Sequence, residues 1–243
     1  MSRSSLNTSP GLARGWRRAE VALRWRSHPP SGSDLLRWAA RCRDRCHMTL
    51  APYKTTMSKV GTGTSLAPTL LLSMPQLDDP NFKQTVVLLC EHGVDGAFGL
   101  VLNRQTETPA SSVVRLTPPV DSDNGLQLWI GGPVEPERGW ILMGEEPDEA
   151  ESVEVCDGLY LSTSPDLLRR VLSDQPPSRT RLLTGYAGWG AGQLDEELSS
   201  SSWLIAEVEL DLIFETQSTQ MWETAIRRLG AEPSMLQMGR GIH

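Results

Sequence analysis

The sequence predicts an α+β protein built on a largely antiparallel sheet. Short apolar runs alternate with tight-turn signals, helical patterns are inserted singly, and the regular β–α–β rhythm of a parallel sheet is missing. Internal repeats are also absent.

Taken in order, Thr69–Ser73 reads as a short apolar strand closed by Met74-Pro75. Asp78-Asp79-Pro80-Asn81 is turn chemistry, because Asp and Asn bond their own backbone and Pro fixes φ. Thr85–Cys90 is β-branched and apolar throughout, the pattern of a strand buried on both faces. After the turn Gly93–Gly96, Ala97–Asn103 returns as its hairpin partner. Residues 109–116 predict a short helix with Val113, Val114 and Leu116 inward. Asn124-Gly125 marks a turn before the strand Leu126–Ile130, and Gly139–Met143 begins another. The acidic stretch Glu145–Glu151 is a solvated loop, followed by strands Ser152–Cys156 and Gly158–Ser162 paired about Asp157-Gly158.

The helices are signposted more strongly. Ser164 caps one, Pro165 takes its first position, and Leu167, Leu168, Val171 and Leu172 form its inner stripe up to Pro176-Pro177. Thr180–Gly185 is a strand, Gly192–Ser199 a helix, and Trp203–Leu210 an alternating strand. A last helix runs from Thr219 to Leu229, with Trp222, Ala225, Ile226 and Leu229 on one face, Arg227 and Arg228 in its final turn, and Gly230 after it.

Charge divides the chain. Residues 1–47 carry ten Arg against three acids, a balance of +7, while residues 48–243 carry 13 Lys and Arg against 27 acids, a balance of −14. A body this acidic repels a phosphate backbone, which argues against direct nucleic-acid binding. Residues 1–60 lack sustained periodicity and are broken by Pro10, Pro29, Pro30 and Pro52. A basic tail, an organelle transit peptide and a start-site artefact upstream of Met48 or Met57 all fit this leader. The third fits best, leaving 61–243 as one domain. No apolar run reaches the length of a membrane span, and four cysteines without a dense framework suit a reducing cytoplasm. Cys42-x-x-x-Cys46-His47 lacks the second ligand pair that zinc requires, so neither a metal nor a cofactor is expected.

Three stretches carry a family resemblance: Met74–Phe82 running into Thr85–His92 and Gly96–Arg104; Gly131-Gly132-Pro133-Val134 with Arg138-Gly139; and Gly185-Tyr186-Ala187-Gly188-Trp189 with Gly192-Gln193-Leu194 and Glu197-Leu198. From about Leu66 onward the chain resembles the bacterial AlgH/YqgE family. That resemblance implies coiled, bifurcated sheets flanked by a few helices in one unit. It brings no settled biochemical activity. A regulatory role through a protein or small-molecule partner is the leading expectation, with the chain more a binding protein than an enzyme.

The candidate chemistry is sparse. Cys90 and His92, two apart on a strand, share a face and form the basis of a thiol enzyme or redox reading; the alternative is a buried thiol closing a core strand. Gly185–Gln193 reads as a glycine-rich loop entering a helix, one wall of a small-molecule pocket or simply a tight crossing. It has no Lys, and Asp195, Glu196 and Glu197 in the following turns disfavour phosphate. Arg104, Arg138 and Gln193, with His92, are the polar residues expected to bind a partner if they meet in one cleft. His28, His47 and His243 lie at or beyond the domain's edges.

Overall fold

The computed structural model describes residues 65–238 apart from 78, 117–118, 120–122 and 148–151; the leader expected over residues 1–60 lies outside them. The strands are β1 (Thr69–Ser73), β2 (Val86–Gly93), β3 (Gly96–Val101), β4 (Gln105–Pro109), β5 (Gln127–Ile130), β6 (Val134–Met143), β7 (Ser152–Cys156), β8 (Leu159–Ser162), β9 (Thr180–Gly190) and β10 (Trp203–Ala206). The helices are α1 (Ala110–Val113), α2 (Pro165–Ser173), α3 (Gln193–Ser199), α4 (Leu210–Phe214), α5 (Met221–Arg228) and α6 (Pro233–Met238).

The main sheet runs β10-β1-β2-β3-β9-β6-β8-β7, and every pairing along it is antiparallel. It is curled, and it splits at β9. One edge of β9 pairs with β6 as far as Tyr186. The other edge pairs first with β5, in parallel, through Leu182–Thr184, and then with β3 through Ala187–Gly190. The β5–β9 ladder is the parallel exception in an otherwise antiparallel fold, and β5 also pairs with β4. The bifurcated α+β architecture expected from the resemblance is therefore present.

Alternation along these strands sorts side chains to two faces. On one face Leu70, Leu72, Leu88, Leu100 and Trp140 pack beneath Leu212, Ile213, Trp222 and Ile226 of α4 and α5. The other face carries two smaller cores. The stripe of α2 covers Ile141, Met143 and Leu182, while Leu194 of α3 packs with Leu71, Val87, Leu89, Trp189 and Trp203. The α2 start is as expected: Ser164 Oγ accepts from Leu167 N–H at 3.4 Å, and Pro165 stands at the first helical position.

Four local expectations are corrected. The glycine-rich run 185–190 is strand: Gly188 and Gly190 pair with Phe98 and Gly96, and the close approach of the two backbones falls on Gly96. A Cβ on Gly96 would lie 2.3 Å from Trp189 O. The alternating pattern at Trp203–Leu210 stops being strand at Ala206, and Leu210 opens α4. The return strand expected to reach Asn103 ends at Val101, where the Asn103 side chain takes over by accepting from Val86 N–H and donating to Gln84 O. Finally, β4 and α6 form where no element was expected. The polar Gln105–Pro109 has no strand pattern of its own and depends on β5 for its pairing.

Candidate functional site

Cys90 and His92 do not share a face. The β2–β3 register shifts between Leu89 and Glu91, so Leu89 lies opposite Gly99 and Glu91 opposite Phe98, with Cys90 as the extra residue of a bulge. Cys90 therefore points into the core under α4 and α5, along with Leu88 and Phe98. His92, opposite Ala97, points to the α3 side of the sheet. There its Nδ1 accepts from Leu66 N–H at 3.3 Å and its Nε2 lies 3.4 Å from Asp195 Oδ1. Cys90 is buried, and burial followed by the nearby Glu91 and Cys156 pushes its thiol pKa upward. A nucleophilic thiol needs the opposite shift and an imidazole within reach.

The glycine-rich motif also resolves into architecture. Trp189 and Trp203 are nearly buried, and their indole N–H groups donate to the same Glu197 oxygen at 3.0 and 2.8 Å. Gln193 donates to the other Glu197 oxygen at 2.8 Å and accepts from Gly190 N–H at 3.1 Å. Phe82 closes the cluster, stacked on Trp189 and edge-on to Trp203. One carboxylate thus ties α3 to β9 and β10, and Trp189 stands in a filled core, not along a concave wall.

The four polar candidates fall into three environments. His92 and Gln193 both lie at the start of α3, His92 against Asp195 and Gln193 bonded to Glu197. Arg138 lies on the opposite face, its guanidinium 4.8 Å from the Trp140 ring centroid and 3.3 Å from Glu135. Arg104 follows the far end of β3 and donates to Lys83 O, with burial lowering its pKa. Among the described residues, no cluster of three or more His, Cys, Asp or Glu is placed to hold a metal.

One buried cation was not singled out by the sequence. Arg181 is 4% exposed, lies 3.9 Å over the Trp129 ring, and donates to the carbonyls of Leu102 and Ile213. Burial lowers its pKa to about 9. It fastens β9 to the end of β3 and to the last turn of α4, where free carbonyls attract a cation. The signal was an Arg at the start of a strand, between Thr180 and the apolar pair Leu182-Leu183.

The described surface offers a different kind of site at the β10 edge. Met74 N–H donates to Ser202 O at 2.9 Å, which sets the phase of the β1–β10 ladder. Leu204 and Ala206 then point their amides and carbonyls at β1, and those of Trp203 and Ile205 point outward. Beside this edge lies an open groove of about 360 Å³, lined by Ala206, Leu212, Ala225 and Leu229 with Glu207, Glu209 and Arg228 at its rim. Ile205 and Leu229 are 46% and 44% exposed.

These features define a class: an α+β protein with a curled sheet that splits at one long strand. Residues 70–234 match the AlgH-like family profile. The chain belongs to this AlgH-like family. A UPF0301 protein of Myxococcus xanthus is 39% identical over 186 residues, covering 74% of this chain and 99% of that protein. One from Ruegeria pomeroyi is 36% identical, covering 71% and 96%. Among solved structures, the AlgH protein of Pseudomonas aeruginosa superposes with a TM-score of 0.60 at 33% identity, covering 76% of this chain and all of that one. A protein from Corynebacterium diphtheriae, 18% identical, shares the fold with a TM-score of 0.55 over 80% of this chain and all of that one. No helix among the described residues is long and apolar enough to cross a membrane.

Proposed function

We propose that this chain works by binding another protein, through the open edge of β10, and that any regulatory role it has is exerted through that contact. The observation supporting this is the edge itself. An unpaired strand edge is a template for a further strand, and folded proteins normally guard one with charge, proline or a covering element. At the other end of the sheet β7 carries the exposed Glu154 within the strand. β10, with the sequence Trp203-Leu204-Ile205-Ala206, holds neither a charged residue nor a proline, and among the described residues no further strand pairs with its outer edge.

The thiol-enzyme reading loses support from the burial of Cys90 and its separation from His92 by the bulge. The small-molecule reading at Gly185–Gln193 loses support from the packing of Trp189. The test is photo-crosslinking in cells, with a benzophenone amino acid placed at position 205 or, as control, at the 79% exposed Val94 in the β2–β3 turn. A discrete protein adduct from 205 and none from 94 is expected. No adduct, or the same adducts from both positions, contradicts the proposal.

A further inference from the structure

We infer that the segment received at the β10 edge is an extended peptide alternating apolar and basic side chains, an inference that rests on the edge-binding reading above. Backbone geometry sets the first half of that description. A strand added beside β10 bonds to the outward amides and carbonyls of Trp203 and Ile205. Its side chains then alternate between the two faces of the sheet. On the face of α4 and α5 they enter the groove over Ala206, Leu212, Ala225 and Leu229, an apolar floor.

Charge sets the second half. Arg228 is fully engaged, bonding Glu209 at 2.7 Å and Asp211 at 2.7 and 3.1 Å. Neighbouring Arg227 is paired with Glu223 at 2.9 Å. Arg228 therefore has no charge to spare, and the groove's lining holds two acids, Glu207 and Glu209, against that one cation. Leu204, Ala206 and Val208 pack towards α4 and α5, so Glu207 falls to the other face, where alternate side chains of an added strand meet it. Glu207, the residue immediately after β10, has no cationic partner within 4.0 Å among the described residues. The same electrostatics disfavour a second copy of this chain as occupant, because edge-to-edge pairing would bring two bodies of −14 together.

The test is fluorescence anisotropy of the full chain with two labelled hexapeptides, one alternating lysine with valine and one alternating glutamate with valine. Two variants accompany it. Ile205→Pro removes an outward amide while leaving the ladder to β1 intact, the position where an edge strand accepts proline. Glu207→Arg changes the rim alone. Circular dichroism confirms that both fold.

The lysine peptide is expected to bind the native chain at least about 10-fold more tightly than the glutamate peptide, as opposite-charge steering and pairing at a rim allow. Ile205→Pro should weaken it by about 10-fold or more through the lost strand pairing, and Glu207→Arg by about 5-fold through charge. Equal binding of the two peptides, both abolished by Ile205→Pro, overturns the basic preference while the edge reading stands. Lysine-peptide binding untouched by Ile205→Pro, or no binding at all, overturns the edge reading as well. A dimer in sedimentation that Ile205→Pro dissociates makes a second copy the occupant and overturns the proposal.

Discussion

Glu197→Ala should destabilise the fold more than any other change at an α3 surface position. The carboxylate accepts from Trp189 Nε1 at 3.0 Å, Trp203 Nε1 at 2.8 Å and Gln193 Nε2 at 2.8 Å. The two indoles belong to side chains 6% and 4% exposed, so neither N–H regains a full water partner when the acceptor is removed. A buried donor left unsatisfied costs about 1–3 kcal/mol, which puts the two together near ~3 kcal/mol after partial relaxation. For a domain of this size that corresponds to a melting-point fall of about 6–12 °C. The assay is thermal and urea unfolding followed by circular dichroism and tryptophan emission. Trp203→Phe removes one of the donors, so Glu197→Ala in that background should cost about 1 kcal/mol less, a coupling of the size expected for groups in direct contact. A single-variant loss below about 0.5 kcal/mol, the level of an ordinary surface substitution, would mean that Glu197 does not anchor the two indoles.

Three further outcomes follow from other parts of the fold. Burial raises the Cys90 pKa above its ordinary value of 9.0, so the stability linked to its protonation is complete below pH 9 and is lost as pH rises beyond it. Cys90→Ala should therefore flatten the alkaline decline by up to about 1.4 kcal/mol per pH unit in urea titrations between pH 8 and 10.5, and parallel slopes would contradict it. Gly132→Ala should block folding or cost about 3 kcal/mol or more, since φ is +152° and a Cβ would lie 2.1 Å from the Tyr186 carbonyl carbon. Gly192→Ala, with φ +72° and nothing within 4 Å of the new carbon, should cost only about 1 kcal/mol in the same chemical denaturation. Arg181→Met keeps the stem over Trp129 but strips the Leu102 and Ile213 carbonyls of their donor, so hydrogen exchange in α4 should accelerate before exchange in β9 does.

Local signals were legible in the sequence and long-range pairing was not. The β2–β3 hairpin could be read because an apolar run, a turn at Gly93–Gly96 and a second run are contiguous. Helix α2 could be read because Ser164 and Pro165 mark its start and its apolar stripe is complete. The glycines at 185, 188 and 190 looked like loop because glycine weakens an isolated strand; here Gly188 and Gly190 pair with β3, a partner some 90 residues away, and Gly185 takes φ +70° hard against Gly132 O. The placing of Cys90 and His92 on one face failed at a single bulge, which periodicity cannot reveal. The edge status of β10 was hidden because β1, its sole partner strand among the described residues, is 130 or more residues away. The visible sign was only where apolar Trp203–Ala206 gives way to Glu207-Val208-Glu209.

The most direct test is residue-resolved amide exchange at β10 in the free chain, then with the lysine–valine peptide bound. An outward, uncovered edge predicts fast exchange at Trp203 and Ile205 and slow exchange at Leu204 and Ala206, whose amides face β1. Peptide should then slow Trp203 and Ile205 and leave their two neighbours unchanged. Strong protection of Ile205 in the free chain, or no change on adding peptide, would contradict the claim that this edge is where the protein meets its partner.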